Sequence, residues 1–282
     1  MFLGSHCSTA GGVWAALERA ESIGAESCQI FVKNNMQWFG KTLAELDVQR
    51  FFKLREKSPV RVVFAHSGYL INLGGPDSPN RVKSIRSLID ELNLAGQLNL
   101  PFLVLHPGAH LGTGTEKGLA QVVAGLNEVF SATKGLKVRV ALENTAGQGT
   151  CLGENLEDLA MIIGQVKHSE RLGVCLDTAH LLASGHDVRS SEGWNNVISE
   201  MKRLVGLDQI LAFHLNDSKP GLGSHVDRHE HIGKGKIGLE AFRHIVNDKR
   251  FSGVPGCLET PKSDDLHEDR ENLAALRSLL AK

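Results

Sequence analysis

VRVVFAHSGYLINLGGPDSPNRVKSIRSLIDELNLAGQLNLPFLVLH, residues 60–106, holds two short apolar runs, each closed by a histidine, on either side of an amphipathic segment. The runs VRVVFAH (60–66) and FLVLH (102–106) have the length and composition of buried strands. Between them, PNRVKSIRSLIDELNLAGQL sets Val82, Ile85, Ile89 and Leu92 on one helical stripe, with Pro79 and Asn80 at its start. Strand, helix and strand in that order make a βα unit of a parallel sheet, since parallel neighbours need a crossover between them.

The same alternation recurs in both directions. MFLGSH near 2–6, SCQIFV at 27–32, VRVALE at 138–143, LGVCLD at 172–177, ILAFH at 210–214 and VPGCLE at 254–259 bring the expected strands to eight. Each gap is long enough for one crossover helix, and no low-complexity linker or charge block interrupts the series, so one domain over residues 1–282 is expected. Eight such units fit a (β/α)8 TIM barrel with its active site at the C-terminal face of the strands. An open doubly wound sheet would more often carry a G-x-G-x-x-G loop after its first strand, and HCSTAGG lacks that spacing.

With 41% hydrophobic and 22% charged residues, the 282-residue chain has the composition of a folded soluble protein. The formal charge of −1 carries no bulk nucleic-acid signature, although bound divalent cations would make a site locally positive whatever the side chains total. Cys7, Cys28, Cys151, Cys175 and Cys257 are scattered and never form C-x-x-C, which excludes a disulfide framework or thiolate zinc knuckle and reads as small buried hydrophobes. The N-terminus lacks a basic leader and no run approaches 18 apolar residues, so a cytoplasmic protein without a membrane partner is expected.

Seven of the eight runs end on a metal-capable residue: His6, His66, His106, Glu143, Asp177, His214 and Glu259. One such residue would be ordinary, because a lone strand-end histidine is more often a hydrogen-bonded neighbour of a loop. In a barrel all seven converge on one mouth. Asp177 and His180 in LDTAH, and Asp227 and His229 in VDRHEH, add short ligand-like spacings. Mixed imidazole and carboxylate donors suit Zn²⁺, and nine ligands at about three per catalytic ion would serve up to three ions. Two ions about 3.5 to 4 Å apart are the arrangement that splits phosphate esters. A sugar isomerase of the xylose isomerase type would share the barrel but use mostly carboxylates and Mg²⁺ or Mn²⁺. A non-catalytic zinc-dependent DNA-binding module would close its sites with cysteine.

KNNMQW, HSGYLINL, HPGAHLG, LENTAGQG, LDTAH, HLNDSK, SHVDRHEHIGKGKIG and LET resemble, in order and spacing, the endonuclease IV family of apurinic/apyrimidinic endonucleases, from about Gly4 to Glu259. The resemblance implies a (β/α)8 barrel with three Zn²⁺, Mn²⁺ being able to replace one of them. It assigns His66, His106 and Glu143 to one ion, with Glu143 bridging to a second held by Asp177, His214 and Glu259. His180, Asp227 and His229 would hold the third. It further implies cleavage 5′ to an abasic site in duplex DNA, trimming of blocked 3′ ends, and catalytic roles for Glu143 and Glu259, the latter orienting or deprotonating the nucleophile. A monomer is expected.

Family members flip the abasic nucleotide out of the duplex, and Tyr69 and Leu70 match positions that take part. Met36 stands where some members place an arginine that enters the base stack. An unbranched apolar side chain can act as a wedge but cannot contact phosphate by charge, so Asn34, Gln37 and Trp38 are expected to share that role. Lys219 and Arg228 are candidate phosphate contacts, against the plainer reading of solvated loop cations. His6, His110, His225 and His231 lie close enough to the ligands to orient them or to meet substrate, whereas His168, His186, His244 and His267 read as surface residues.

Overall fold

Side chains alternate faces along a strand, and in this protein that alternation carries each apolar run into the wall of a closed barrel. The structure is a computed structural model and describes residues 1–281. The barrel strands are β1 (Phe2–His6), β2 (Ser27–Phe31), β3 (Val62–His66), β4 (Phe102–Leu105), β5 (Arg139–Glu143), β6 (Leu172–Asp177), β7 (Ile210–His214) and β10 (Pro255–Leu258). All neighbouring pairs are parallel, and β10 closes the ring on β1 with Phe2 opposite Pro255 and Ser5 opposite Leu258. Helices α1 (Ala15–Ser22), α2 (Glu45–Arg55), α3 (Pro79–Gln97), α4 (Thr115–Ala132) and α5 (Leu156–Gln165) follow the first five strands. After them come α6 (Thr178–Ser184), α7 (Ser191–Leu204), α8 (Leu239–Val246) and α9 (His267–Ser278).

Two apolar layers hold this arrangement. A large core lies between strands and helices, and a small one formed by Phe64, Phe102, Val104, Ala141, Cys175, Ala212 and Cys257 fills the barrel interior. Phe64 and Phe102 stack there with ring centroids 4.7 Å apart. Two positions beyond an interior residue the strand again points inward. Val104, Ala141, Cys175, Ala212 and Cys257 are therefore followed at the mouth by His106, Glu143, Asp177, His214 and Glu259, and Phe64 by His66.

Helix α3 begins as its sequence indicates, but its cap is Ser78, whose Oγ accepts from the Arg81 amide at 3.2 Å. Its buried stripe runs through Ile85, Leu88, Leu92 and Ala95, leaving Val82 48% exposed and Ile89 only half-buried. Those two sit about a quarter turn from the centre of the buried face. Cys7, Cys28, Cys175 and Cys257 are buried free thiols, whereas Cys151 is half-buried. No helix among the described residues is long and apolar enough to cross a membrane.

The loop after β7 contains a hairpin absent from the periodic pattern, in which β8 (Asp217–Ser218) pairs antiparallel with β9 (His229–Glu230). Its anchor is the fully buried Asp217 carboxylate, which accepts backbone N–H groups from Ser218, Gly233, Gly235, Ile237 and Gly238 at 2.8–3.2 Å. The approach is close enough to require glycine at 235, since a Cβ there would lie 2.4 Å from Asp217 Oδ1. Asp217→Ala would leave these donors without their acceptor, so unfolding free energy should fall by roughly 3 kcal/mol in a denaturant titration. A loss below about 0.5 kcal/mol would show that the carboxylate does not anchor the loop.

Candidate active site

At the C-terminal mouth, three overlapping groups of donors lie close enough together to hold metal ions: His66, His106 and Glu143; Glu143, Asp177, His214 and Glu259; and Asp177, His180 and His229. Asp227 joins the third through Oδ1, which lies 3.2 Å from His180 Nε2 and 3.4 Å from His229 Nε2. All nine expected donors are thus brought together. Glu143 is central: its Oε2 faces His66 Nε2 at 3.3 Å and His106 Nε2 at 3.4 Å, while Oε1 faces His214 Nδ1 at 2.8 Å. A fourth group, Asp265, His267 and Glu268, is mostly exposed and lies at the start of α9.

Which nitrogen each imidazole offers follows from what its other nitrogen does. His66 Nδ1–H donates to Ser67 O at 2.8 Å, His180 Nδ1–H to Asn144 O at 3.0 Å, and His229 Nδ1–H to Glu259 O at 3.2 Å. With those protons fixed, the Nε2 atoms of His180 and His229 face one another at 3.4 Å, with carboxylate oxygens of Asp227 and Asp177 beside them. Acceptors pointed at acceptors repel unless a proton or cation lies between them. This donor set therefore fits a metal ion.

Charge in the mouth is strongly coupled. Burial pushes the Glu143 carboxyl up, but the His106 and His214 charges and hydrogen bonds from His180 and His214 outweigh it and hold the group well below the usual carboxylate range. Burial likewise opposes ionisation of Glu259, yet His214, His6 and His66 bring it well below that range too. His180 and His214 move the other way: burial lowers them, whereas Asp177, Asp227 and Glu143 around the first, and Cys175, Glu143 and Glu259 around the second, raise them well above an ordinary imidazole. Asp227 is held down to about 2, burial being outweighed by His180 and His229. Burial dominates at His106 and lowers it.

Beneath the donors lie polar residues that strand-end reading missed. Asn144 Oδ1 accepts the Asp177 amide at 2.8 Å, and Asn216 Nδ2 donates to Asp177 Oδ2 at 2.6 Å while its Oδ1 accepts the Glu259 amide at 2.8 Å. Gln29 reaches His6, His214 and Glu259 from β2. Its signal was available: on the period of two, Gln29 is a polar residue on an interior-facing position of a strand. His6 touches Glu259 Oε1 at 3.5 Å. By contrast His110 Nδ1 accepts from the amides of Gly112 and Gly114, and His231 bonds Asn272, so both stabilise loops. His225, at a φ of 52°, pairs with Glu154 at 3.1 Å.

The donors open into a cavity of about 810 Å³ whose wall includes Asn34, Tyr69, Lys219 and Arg228. An adjoining space of about 460 Å³ shares His106, Tyr69 and Arg228 and continues past Gln148. Tyr69 is 65% exposed, its ring edge-on to Phe31 at 5.4 Å, and Met36 is 64% exposed. Gln37 is also exposed, whereas Trp38 and Leu70 are half-buried, and Met36, Gln37, Trp38 and Leu70 do not line either space. The two loops bearing these residues are tied from below: Lys33 Nζ pairs with buried Glu91 at 2.8 Å and donates to Gln37 O, while both Glu91 oxygens accept the Gly68 amide. Tyr69 N then donates to Asn35 O at 3.1 Å.

Comparison with known proteins matches the barrel and identifies relatives of the chain. The family model for xylose isomerase-like TIM barrels covers residues 17–280. A probable endonuclease 4 of Chloroflexus aurantiacus is 47% identical over 98% of this chain and 97% of its own, and one of Trichlorobacter lovleyi is 44% identical over 99% of each. The crystal structure of endonuclease IV from Thermus thermophilus superposes with a TM-score of 0.88 at 35% identity, covering 99% of this chain and 98% of that one. A D-tagatose 3-epimerase-like protein, at 17% identity and a TM-score of 0.74, shares the fold.

Because His180 and His214 hold protons to higher pH than a free imidazole, a divalent cation must displace those protons on binding. Apparent metal affinity should therefore fall as pH is lowered and level off once pH exceeds the raised values. Calorimetric titration of chelator-stripped protein at pH 7, in buffers of different ionisation enthalpy, should register proton release. Heats independent of the buffer would contradict it.

Proposed function

Since the chain belongs to the xylose isomerase-like TIM-barrel family and, within it, to the endonuclease IV family, we propose that it is a zinc-dependent apurinic/apyrimidinic endonuclease of base excision repair. It would hydrolyse the phosphodiester bond 5′ to an abasic site in duplex DNA, leaving a 3′-hydroxyl and a 5′-deoxyribose phosphate, and trim blocked 3′ ends at the same site. It would act as a monomer. The observation that carries this reading is the convergence of nine imidazole and carboxylate donors at one mouth, opening into a cavity bordered by Lys219 and Arg228.

His66, His106 and Glu143 would hold one zinc, Glu143 with Asp177, His214 and Glu259 a second, and His180, Asp227 and His229 the third. When bound, the ions supply an activated water and neutralise charge on the phosphate and the leaving oxygen. The chain's own residues do the rest. Glu259 orients the attacking water and takes its proton, supported by the hydrogen bond from Gln29 and by the clamped amide at its backbone. Lys219 and Arg228 contact backbone phosphates.

Tyr69 and Leu70 support the flipped-out nucleotide, and exposed Met36 fills the gap in the base stack as an apolar wedge, with Asn34, Gln37 and Trp38 shaping the loop around it. The Lys33–Glu91 pair keeps these loops rigid from below. Five of the nine donors are histidine, which favours zinc over the Mg²⁺ or Mn²⁺ of carboxylate-rich sugar isomerases.

A duplex carrying one abasic analogue should be nicked on its 5′ side, with activity lost to a chelator and restored by zinc. In the same assay Glu259→Gln should lose at least about 100-fold in turnover while still binding abasic duplex. A cut on the 3′ side would indicate lyase chemistry, and isomerisation of a free sugar without nicking would overturn the reading altogether.

A further inference from the structure

Gln29 sits in the middle of β2, with His6 as its paired neighbour on β1, and its side chain is fully buried beneath the donors. Its amide spans three elements. The Oε1 accepts from His214 Nε2–H at 2.7 Å, and Nε2 gives one hydrogen to Glu259 Oε1 at 2.5 Å and the other to His6 Nδ1 at 2.8 Å. Both hydrogens and an oxygen lone pair are thereby used. Only a group that donates and accepts side by side can do this, and a carboxylate or an apolar side chain of the same size cannot.

These bonds determine what the neighbouring donors have left to offer. With Nε2–H committed to Gln29, the atom of His214 left to face an ion is Nδ1, which lies 2.8 Å from Glu143 Oε1 and 3.3 Å from Glu259 Oε2 and gives up its proton when an ion binds. With Oε1 engaged, Glu259 presents Oε2 to the same point. His6, accepting at Nδ1, keeps its proton on Nε2. Resting on the metal-site reading above, we propose that Gln29 is a positioning residue for the ion held by Glu143, Asp177, His214 and Glu259: it selects the nitrogen of His214 and the oxygen of Glu259 that face that ion.

Gln29→Met keeps the volume and removes all three bonds. Metal content measured after equilibration against graded chelator should show one of the wild-type ions released about 10- to 100-fold more easily, with the others retained at wild-type affinity. Turnover should fall with the lost ion and recover at high zinc. If that variant does not fold, Gln29→Glu, which keeps the size and the oxygen facing His214 but removes both donors, should show the same selective loss. Wild-type affinity for every ion, or an equal loss at all of them as a merely structural role would give, overturns the proposal. A wild-type protein that binds no metal would instead overturn the metal-site reading on which it rests.

Discussion

A carboxylate shut away from water has to be surrounded by compensating charge, because removing it from solvent costs several kcal/mol even after the protein relaxes. Glu143 is in that position, with no solvent exposure, and the mouth is organised around it. Imidazoles from β3, β7, the end of β4 and the first turn of α6 meet its two oxygens between 2.8 and 3.4 Å. Because one oxygen faces His66 and His106 and the other faces His180 and His214, the single carboxylate joins two halves of the donor cluster. It could serve neither half if it were free to rotate.

Rigidity comes from two sources. Below the mouth, the interior is packed with Phe64, Phe102, Val104 and small residues, which leave no room for polar side chains to retreat. Around the mouth, Asn144, Asn216 and backbone carbonyls satisfy the atoms that the donors do not direct inward. Ring and carboxylate orientations are thus set before any ligand arrives, and this preorganisation keeps the donor atoms aimed at the same points.

The barrel and most of the donors were legible because each obeys a local rule. Strand length, crossover length and the period of two placed His66, His106, Glu143, Asp177, His214 and Glu259 at one end. The β8–β9 hairpin was hidden because strands of two residues have no period to detect. Nothing local marks Asp217, since four of the five amides that bind it belong to Gly233, Gly235, Ile237 and Gly238. Gln29 shows locally only as a polar residue on an interior-facing strand position; its partners His214 and Glu259 lie 185 and 230 positions further on, so its role does not. In α3, Val82 looked like core because hydrophobicity alone does not say which part of a stripe the neighbouring elements cover.

The seam where β10 meets β1 has a consequence for how the protein comes into being. Glu259 directly follows β10, which is held between β7 on one side and β1 on the other. His66, His106 and Glu143 belong to neighbouring strand–helix units, whereas Glu259 is set beside them by the strand that closes the ring. Ring closure and completion of the donor cluster are therefore one event, and a chain whose barrel is still open lacks the full set.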